Sequence, residues 1–203
     1  MHTHSLAQYM DCIYRADWQG VGELMLSSAG KLAQAGSDFL ICPDNTIHQA
    51  LAYVEPRSPL PWLHIAEVVA AHAVERGFRR LGLTGTRWLI ESETYPDKLA
   101  AHGLTYVRPS AAEREAINRI IMDELVYGVF KPEAVAYFQR VIGRMKEEGC
   151  DAVVLGCTEI PLLIDDSMAP LPTLDSTRLL ARAALRRAVH AGEPRPVRRS
   201  TPL

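Results

Sequence analysis

Features that would point to a membrane, a nucleic acid or a secreted protein are missing from this 203-residue sequence. No segment approaches the roughly 18 consecutive apolar residues that a membrane helix needs. The start, Met1-His2-Thr3-His4, lacks the charged and apolar regions of a signal peptide. The net charge is -2, and the only basic cluster lies in a proline-rich tail over 193–203, which we expect to be disordered. The sequence therefore predicts no membrane partner and no nucleic-acid partner.

The cysteines are few, and their spacing matches no known framework. They stand at positions 12, 42, 150 and 157, without a CxxC pair or zinc-finger spacing. Neither a disulfide framework nor a structural metal site is therefore indicated. His2 and His4 lack a third ligand at suitable spacing, so no metal site is predicted there either. Free thiols indicate a reducing compartment, and we expect a cytoplasmic location.

What the sequence does contain is an alternation of short apolar runs and amphipathic stretches. The runs predict buried strands at 38–42, 80–84, 104–107 and 152–155. The amphipathic stretches predict helices at 65–74, 113–127, 132–147 and 176–190. Gly36, Gly77 and Gly149 each stand where a helix would end just before a strand. The pattern predicts an α/β protein with largely parallel strands.

Two loops at the ends of predicted strands carry groups that can transfer a proton. Asp44 follows the first strand and Cys157 follows the last. Side chains with a small hydroxyl or amide group follow these two residues, at Asn45, Thr46 and Thr158, and another follows the strand at 80–84, at Thr86. Such groups can hold a carboxylate. Loops at the carboxyl ends of parallel strands converge on one ligand site. The combination is typical of proton transfer at a carbon next to a carboxylate.

These segments resemble the aspartate/glutamate racemases over most of the chain. The likeness rests on ICPDNTIH at 41–48, LPWLHIAEVV at 60–69, LGLTGT at 81–86 and AINRIIMDELVYG at 116–128. The most specific string is CDAVVLGCTEIPLLI at 150–164. The resemblance implies two similar parallel-sheet α/β domains that face each other across an active-site cleft. It also implies racemisation of an acidic amino acid, aspartate or glutamate, without cofactor or metal, in a homodimer.

The resemblance also suggests how the domains are divided. We expect the first domain to comprise 1–76 and 174–192, and the second 77–173. Members of the family usually open with a strand and a Gly-Gly-Met-Gly loop, and neither has a counterpart here. We therefore expect the first domain to be incomplete, without the family's first strand and helix.

By resemblance, two cysteines flank the substrate's α-carbon, one on each face. Cys157 matches the second of them, whereas Asp44 stands where the first is usual and Cys42 lies two residues earlier. We predict Asp44 and Cys157 as the catalytic pair, with Asn45, Thr46, Thr86 and Thr158 around the α-carboxylate. Burial would have to raise the pKa of Asp44 for it to donate a proton. The place of Cys157, after a strand and near a helix N-terminus, predicts a lowered thiol pKa.

Other interpretations of the same residues stay open. Cys157 alone would suit a buried small side chain, and Asp44 alone would suit a turn or helix cap. A related decarboxylase or a cis-trans isomerase of a dicarboxylic acid would use Cys157 alone. A non-catalytic carboxylate-binding or oligomerisation protein would use neither. Arg87 and Lys131 are the candidate partners for a distal substrate carboxylate.

Overall fold

A computed structural model of the chain describes residues 1–190, and every structural statement below concerns those residues. The predicted disordered tail, 193–203, lies outside them. The strands are β1 (Leu40–Ile41), β2 (Trp62–Leu63), β3 (Arg80–Gly85), β4 (Thr105–Val107), β5 (Ala152–Gly156) and β6 (Thr173–Asp175). The helices are α1 (Leu6–Tyr14), α2 (Trp18–Gln34), α3 (Leu51–Val54), α4 (Ile65–Glu75), α5 (Arg87–Glu91), α6 (Thr94–Ala101), α7 (Ala111–Asp123), α8 (Pro132–Glu147), α9 (Ile160–Leu163) and α10 (Ser176–His190). None of these helices is long and apolar enough to cross a membrane.

The strands form two parallel sheets. β1 pairs with β2, and the other four strands lie in the order β4-β3-β5-β6. Every pair is parallel, so the carboxyl ends of the strands in each sheet share one edge. The prediction of an α/β fold with parallel strands is confirmed. β2 and β6, of two and three residues, were not predicted.

The helix predictions hold where the end signals are strong. α8 runs over 132–147 as predicted, with proline in its first turn, two basic residues in its last turn and Gly149 at φ +87° behind it. The predicted helix 113–127 is in fact interrupted. α7 begins after Ser110, whose hydroxyl and backbone form a capping box with Glu113, and ends at Asp123. A 3₁₀ turn follows at 125–127.

The four-stranded sheet has a hydrophobic core on each face. Successive residues of a strand point to opposite faces, so Val153 packs under α7 and α8 while Val154 packs under α4 and α6. Phe138 and Met145 fill the first layer, and both are fully buried. A third cluster joins α1, α2 and the segment after β1, and Met25 is one of its buried members.

The packing of α4 and the pairing of β6 are relevant to where the boundaries between the two domains lie. α4 buries Ala66, Val69 and Ala73 in the same cluster as Leu83 of β3, so a boundary after residue 76 separates α4 from its core. β6 pairs with β5, so a boundary at residue 174 falls inside that strand. We propose instead that the second domain begins at α4 and includes β6.

Gly156, the last residue of β5, lies where the backbones of β3 and β5 approach closely. A Cβ atom placed there would lie 2.6 Å from the carbonyl oxygen of Thr84 and 2.7 Å from a methyl carbon of Leu89. Both distances are shorter than van der Waals contact. Only glycine therefore allows this strand end to lie beside Gly85, its register partner.

We expect Gly156→Ala to lower the free energy of unfolding by about 2 kcal/mol or more, because the added methyl group displaces a neighbouring strand. Gly143→Ala is the matched control. It lies inside α8 with no atom within 4 Å of the added Cβ, and should raise stability by about 0.5–1 kcal/mol. Urea unfolding of both variants measures the difference. Equal effects would contradict this account of the strand end.

Candidate active site

One cavity of about 840 Å³ gathers the residues that the sequence predicted. Its wall includes Asp44, Asn45, Thr46, Thr86, Cys157 and Thr158. These residues follow β1, β3 and β5, and so come from both sheets. The cavity thus brings together a carboxyl group, a thiol and three hydroxyl groups at the carboxyl edges of the strands.

Asp44 lies in the segment that follows β1, after Cys42 and Pro43. Its Oδ1 atom accepts a hydrogen bond at 3.0 Å from the backbone N–H of Ile47, in the first turn of the 3₁₀ helix Thr46–Ala50. The structural role that the sequence allowed for Asp44 is thus observed, and its catalytic role stays a prediction. Asp44 is an exposed residue whose accessible surface faces the cavity, so protein atoms surround it on that side. Burial raises the pKa of Asp44, and the charge of Glu159 raises it further. This is the direction that a proton-donating Asp44 would require.

The Cys157 thiol donates a hydrogen bond to a neighbouring carboxylate. Its Sγ atom lies 2.9 Å from Oε2 of Glu159, and the Thr158 hydroxyl donates to the same oxygen at 2.7 Å. The prediction of a lowered thiol pKa is wrong. The pKa of Cys157 is raised well above its ordinary value, mainly by burial and secondly by the charge of Glu159. The following helix, α9, has only four residues and does not offset these effects.

The hydroxyls of Thr46 and Thr86 bond directly to each other. Their Oγ1 atoms lie 2.8 Å apart, and both residues are largely buried. Thr86 Oγ1 also accepts from the backbone N–H of Leu89 at 3.3 Å, which caps α5. This contact uses only one of the two hydroxyl hydrogens, so the second hydrogen can point towards a ligand. This contact joins the loop after β1 to the loop after β3.

Gln49 strengthens the same junction and was not singled out from the sequence. Its Nε2 atom donates to the carbonyl oxygens of Thr46 and Trp88, each at 3.1 Å. Trp88 lines the cavity. The only sequence signal for Gln49 is its place one helical turn after Asn45.

Asn45 is held by the protein on both ends of its amide. Its Oδ1 accepts from the hydroxyl of Tyr95 at 2.8 Å, and its Nδ2 donates to Ser176 Oγ at 3.0 Å. Ser176 in turn donates to the carbonyl oxygen of Leu155. Asn45 therefore anchors the loop to α6 and α10. One amide hydrogen is left for a ligand, and its contact with a carboxylate stays a prediction.

His48 is buried and uses both ring nitrogens. Nδ1 lies 2.7 Å from the carbonyl oxygen of Asp44, and Nε2 accepts from the backbone N–H of Ile65 at 3.2 Å. These contacts fix the neutral ring with its proton on Nδ1. Its ring packs edge-on against that of His64, which caps α4. His48 thus connects the Asp44 loop to the start of α4.

Cys42 also lines the cavity, although the sequence favoured Asp44. Burial, and then the charge of Asp44, raise the pKa of Cys42 to about 12. Its Sγ lies 3.9 Å from the carbonyl oxygen of Asp44. Like Cys157, Cys42 is therefore a neutral thiol near neutral pH. Within residues 1–190 no group of three His, Cys, Asp or Glu side chains is placed to hold a metal.

Comparison with known proteins gives one family. The family model described as Asp/Glu/Hydantoin racemase matches residues 3–184. The broad specificity amino-acid racemase RacX of Bacillus subtilis (strain 168) is 23% identical over 172 residues, which cover 83% of this chain and 73% of RacX. The glutamate racemase of Pseudomonas aeruginosa PAO1 is 28% identical over 162 residues, or 74% of this chain. The matched region spans 58% of that glutamate racemase.

Solved structures give the same family. A candidate Asp/Glu racemase from Yersinia pestis is 32% identical, with a TM-score of 0.84, over 92% of this chain and 81% of that one. An aspartate racemase homologue from Pyrococcus horikoshii OT3 is 30% identical, with a TM-score of 0.75, over 85% and 76% of the two chains.

His48 should make the fold sensitive to acid. Burial lowers its pKa from 6.5 to about 4. The unfolded chain therefore binds a proton at this ring below pH 6.5, whereas the folded chain binds it only near pH 4. The contribution of His48 to the free energy of unfolding is present above pH 6.5 and decreases as the pH falls below that value. Between pH 7 and pH 5 we expect His48 to account for a loss of roughly 2 kcal/mol.

Urea unfolding at the two pH values tests this, with His48→Gln as the comparison. The variant should be less stable at pH 7, since it loses two hydrogen bonds. It should also lose clearly less stability than the unmodified chain on going to pH 5. Equal losses in both proteins would contradict the buried, neutral state of His48.

Proposed function

The chain belongs to the Asp/Glu/hydantoin racemase family, and from this premise we propose that it inverts an α-amino acid by removing and returning the α-proton between Asp44 and Cys157. The family confirms the expectation of a cofactor-independent amino-acid racemase, which is an isomerase. The observation that supports the two named residues is their presence on the wall of one cavity, on loops from different sheets.

The substrate is proposed at the level of an α-amino acid. The resemblance in the sequence predicts aspartate or glutamate, and several relatives carry these names. RacX carries the name of a broad specificity amino-acid racemase. Aspartate and glutamate are therefore tested together with neutral amino acids.

The α-carboxylate is the part of the substrate that every α-amino acid shares. The α-proton is a very weak acid, so its removal requires that the developing enediolate charge be stabilised. The Thr46 and Thr86 hydroxyls keep one hydrogen for this purpose, and the Asn45 amide keeps another. Both hydrogens are placed by contacts with other protein groups, so little reorganisation is needed when the charge develops. Thr158 donates to Glu159 and is the weaker candidate for this contact.

Cys157 serves one face of the substrate. Its raised pKa keeps the thiol protonated, so it is ready to donate a proton to the α-carbon. For the reverse reaction the thiol must first lose its proton, and the Glu159 oxygen at 2.9 Å is positioned to receive it. Glu159 therefore acts through Cys157 and is a positioning residue with respect to the substrate.

Asp44 serves the opposite face. An ordinary aspartate, with a pKa near 3.9, is a weak base for an α-proton and is rarely protonated at neutral pH. The raised pKa of Asp44 improves both properties. In one direction the Asp44 carboxylate takes the α-proton and the Cys157 thiol gives its proton. The enzyme then carries a protonated Asp44 and a thiolate, which the reverse turnover or exchange with water restores.

Location and assembly are further proposals. The four cysteines are all unpaired in the structure, which supports a reducing, cytoplasmic location. A homodimer is supported by the resemblance alone. Light scattering of the purified chain would measure its mass in solution.

The reaction is tested by proton NMR in heavy water with both enantiomers of aspartate, glutamate, leucine and methionine. We expect loss of the α-proton signal, together with the opposite enantiomer on chiral chromatography. Cys157→Ser and Asp44→Asn should each reduce inversion by about 100-fold or more, since each removes a general acid or base.

Two matched substitutions control for non-specific damage. Cys12→Ser and Asp38→Asn make the same chemical changes at residues that do not line the cavity, and should leave inversion unchanged. If the unmodified chain exchanges the α-proton without inverting the amino acid, only one of the two groups transfers a proton. That result would contradict a mechanism with one group on each face of the α-carbon. Inversion retained in Cys157→Ser or in Asp44→Asn would exclude that residue.

A further inference from the structure

A chain of hydrogen bonds runs through three buried side chains behind the cavity wall. The Tyr95 hydroxyl donates to Asn45 Oδ1 at 2.8 Å, and Asn45 Nδ2 donates to Ser176 Oγ at 3.0 Å. Ser176 Oγ in turn donates to the carbonyl oxygen of Leu155 at 2.9 Å. The accessible fractions of Asn45, Tyr95 and Ser176 are 2%, 1% and 0%, so these bonds are shielded from bulk water. Of the three residues, only Asn45 lines the cavity.

The direction of this chain follows from its last acceptor. A backbone carbonyl oxygen can only accept, so the Ser176 hydroxyl spends its one hydrogen on Leu155. Ser176 Oγ must therefore accept from Asn45, which places the amide nitrogen of Asn45, and not its oxygen, on the side of Ser176. The amide oxygen then lies on the side of Tyr95, whose hydroxyl has to donate. Each bond thus determines the next, and together they select one orientation of the Asn45 amide.

The selected orientation decides what Asn45 can offer to a ligand. A primary amide is planar, so the placement of its oxygen and of one N–H also sets the direction of the second N–H. Within residues 1–190 Nδ2 makes no second hydrogen bond to the protein, and Asn45 lies on the cavity wall. If the amide turned over, its oxygen and nitrogen would exchange places, and the second N–H would leave its present position.

Tyr95 is suited to hold this amide and also has a separate role in packing. Burial raises the pKa of Tyr95 well above its ordinary value, and the Ser176 hydroxyl offsets only part of that rise. The hydroxyl therefore keeps its proton near neutral pH and remains a donor. Tyr95 also belongs to the core cluster that contains Leu83 and Leu99. Phenylalanine at this position would keep the packing of the ring and lose the donor.

The same chain connects the loops that carry the two proposed proton-transfer groups. Asn45 directly follows Asp44, and Leu155 lies in β5 two residues before Cys157. Tyr95 and Ser176 come from α6 and from the start of α10. Neither Tyr95 nor Ser176 lines the cavity, so any effect of these two residues on a substrate passes through Asn45.

We infer that Tyr95 and Ser176 are positioning residues, which hold the Asn45 amide so that its second N–H is available to the α-carboxylate and to the enediolate formed from it. The inference rests on the proposed racemisation, and in particular on the proposed contact between Asn45 and the α-carboxylate. An oriented donor of this kind stabilises the developing charge without having to rearrange when the α-proton leaves.

Tyr95→Phe tests the inference because it removes one oxygen atom and keeps the ring. Asn45 Oδ1 then lacks its donor, so the amide is free to turn over. We expect kcat/KM for inversion of the best amino-acid substrate to fall by about tenfold, since a buried acceptor is left unpaired and the contact with the carboxylate is weakened. Tyr106→Phe is the matched control, and should leave kcat/KM unchanged. Tyr106 packs partly buried against the same core cluster and does not line the cavity.

A double-mutant cycle separates a positioning role from a structural one. In the Asn45→Ala background there is no amide to orient, so Tyr95→Phe should change kcat/KM by less than about twofold. Ser176→Ala breaks the chain at its other end. It should lower kcat/KM by about tenfold in the otherwise unmodified chain, and by less than about twofold in Asn45→Ala. Circular dichroism and urea unfolding verify that each variant is folded, and if one of the two does not fold, the other gives the same comparison.

An equal loss from Tyr95→Phe in both backgrounds would show that the hydroxyl acts through the stability of the fold, and would overturn the inference. No loss from Tyr95→Phe in the otherwise unmodified chain, or an unchanged kcat/KM in Asn45→Ala, would overturn it as well. In each of these cases the unmodified chain still inverts its substrate, and the proposed function stands. If the unmodified chain inverts no amino acid, the proposed function fails, and the inference fails with it.

Discussion

The candidate site depends on the contact between the loop after β1 and the loop after β3. Thr46 and Thr86 meet there through their hydroxyls, and Gln49 spans the same junction by donating to a carbonyl oxygen on each side. The two loops belong to different sheets, so no strand pairing holds them together. Short polar contacts, shielded from water, take over that function. With them in place, Asp44 and Cys157 share one cavity.

Burial gives the site its protonation state. It raises the pKa of Asp44 and Cys157 and lowers that of His48, so each group is biased towards its neutral form. A neutral thiol is a proton donor, and an aspartate with a raised pKa is a stronger base than one with an ordinary pKa. His48 remains a hydrogen-bonding connector because it does not become charged at neutral pH. One physical cause therefore acts on the two proposed proton-transfer groups and on His48, which holds the Asp44 loop.

Much of this arrangement was predictable from the sequence, because it follows from strand ends and strong local signals. The runs at 80–84 and 152–155 correctly located β3 and β5, and with them Thr86 and Cys157. α8 was predicted at its observed bounds because proline and glycine mark its two ends. β2 and β6 were missed because two or three residues carry no recognisable period.

The electrostatics and the cross-links of the site were less accessible from the sequence. The thiol pKa of Cys157 was predicted in the wrong direction, since sequence position gives no measure of burial or of the contact with Glu159. The partners of Asn45 lie 50 and 131 residues away along the chain, at Tyr95 and Ser176. Contacts at such separations depend on the completed fold, which local patterns do not specify.

The central claim is that a carboxyl group and a thiol act on opposite faces of one α-carbon. A crystal structure of the Cys157→Ser variant with a bound amino acid would test it most directly. The account predicts an α-carbon between the Asp44 carboxyl group and the side chain at position 157, with the α-carboxylate against the Thr46 and Thr86 hydroxyls. An amino acid with both residues on the same side of its α-carbon, or with its carboxylate away from the two threonines, would contradict it.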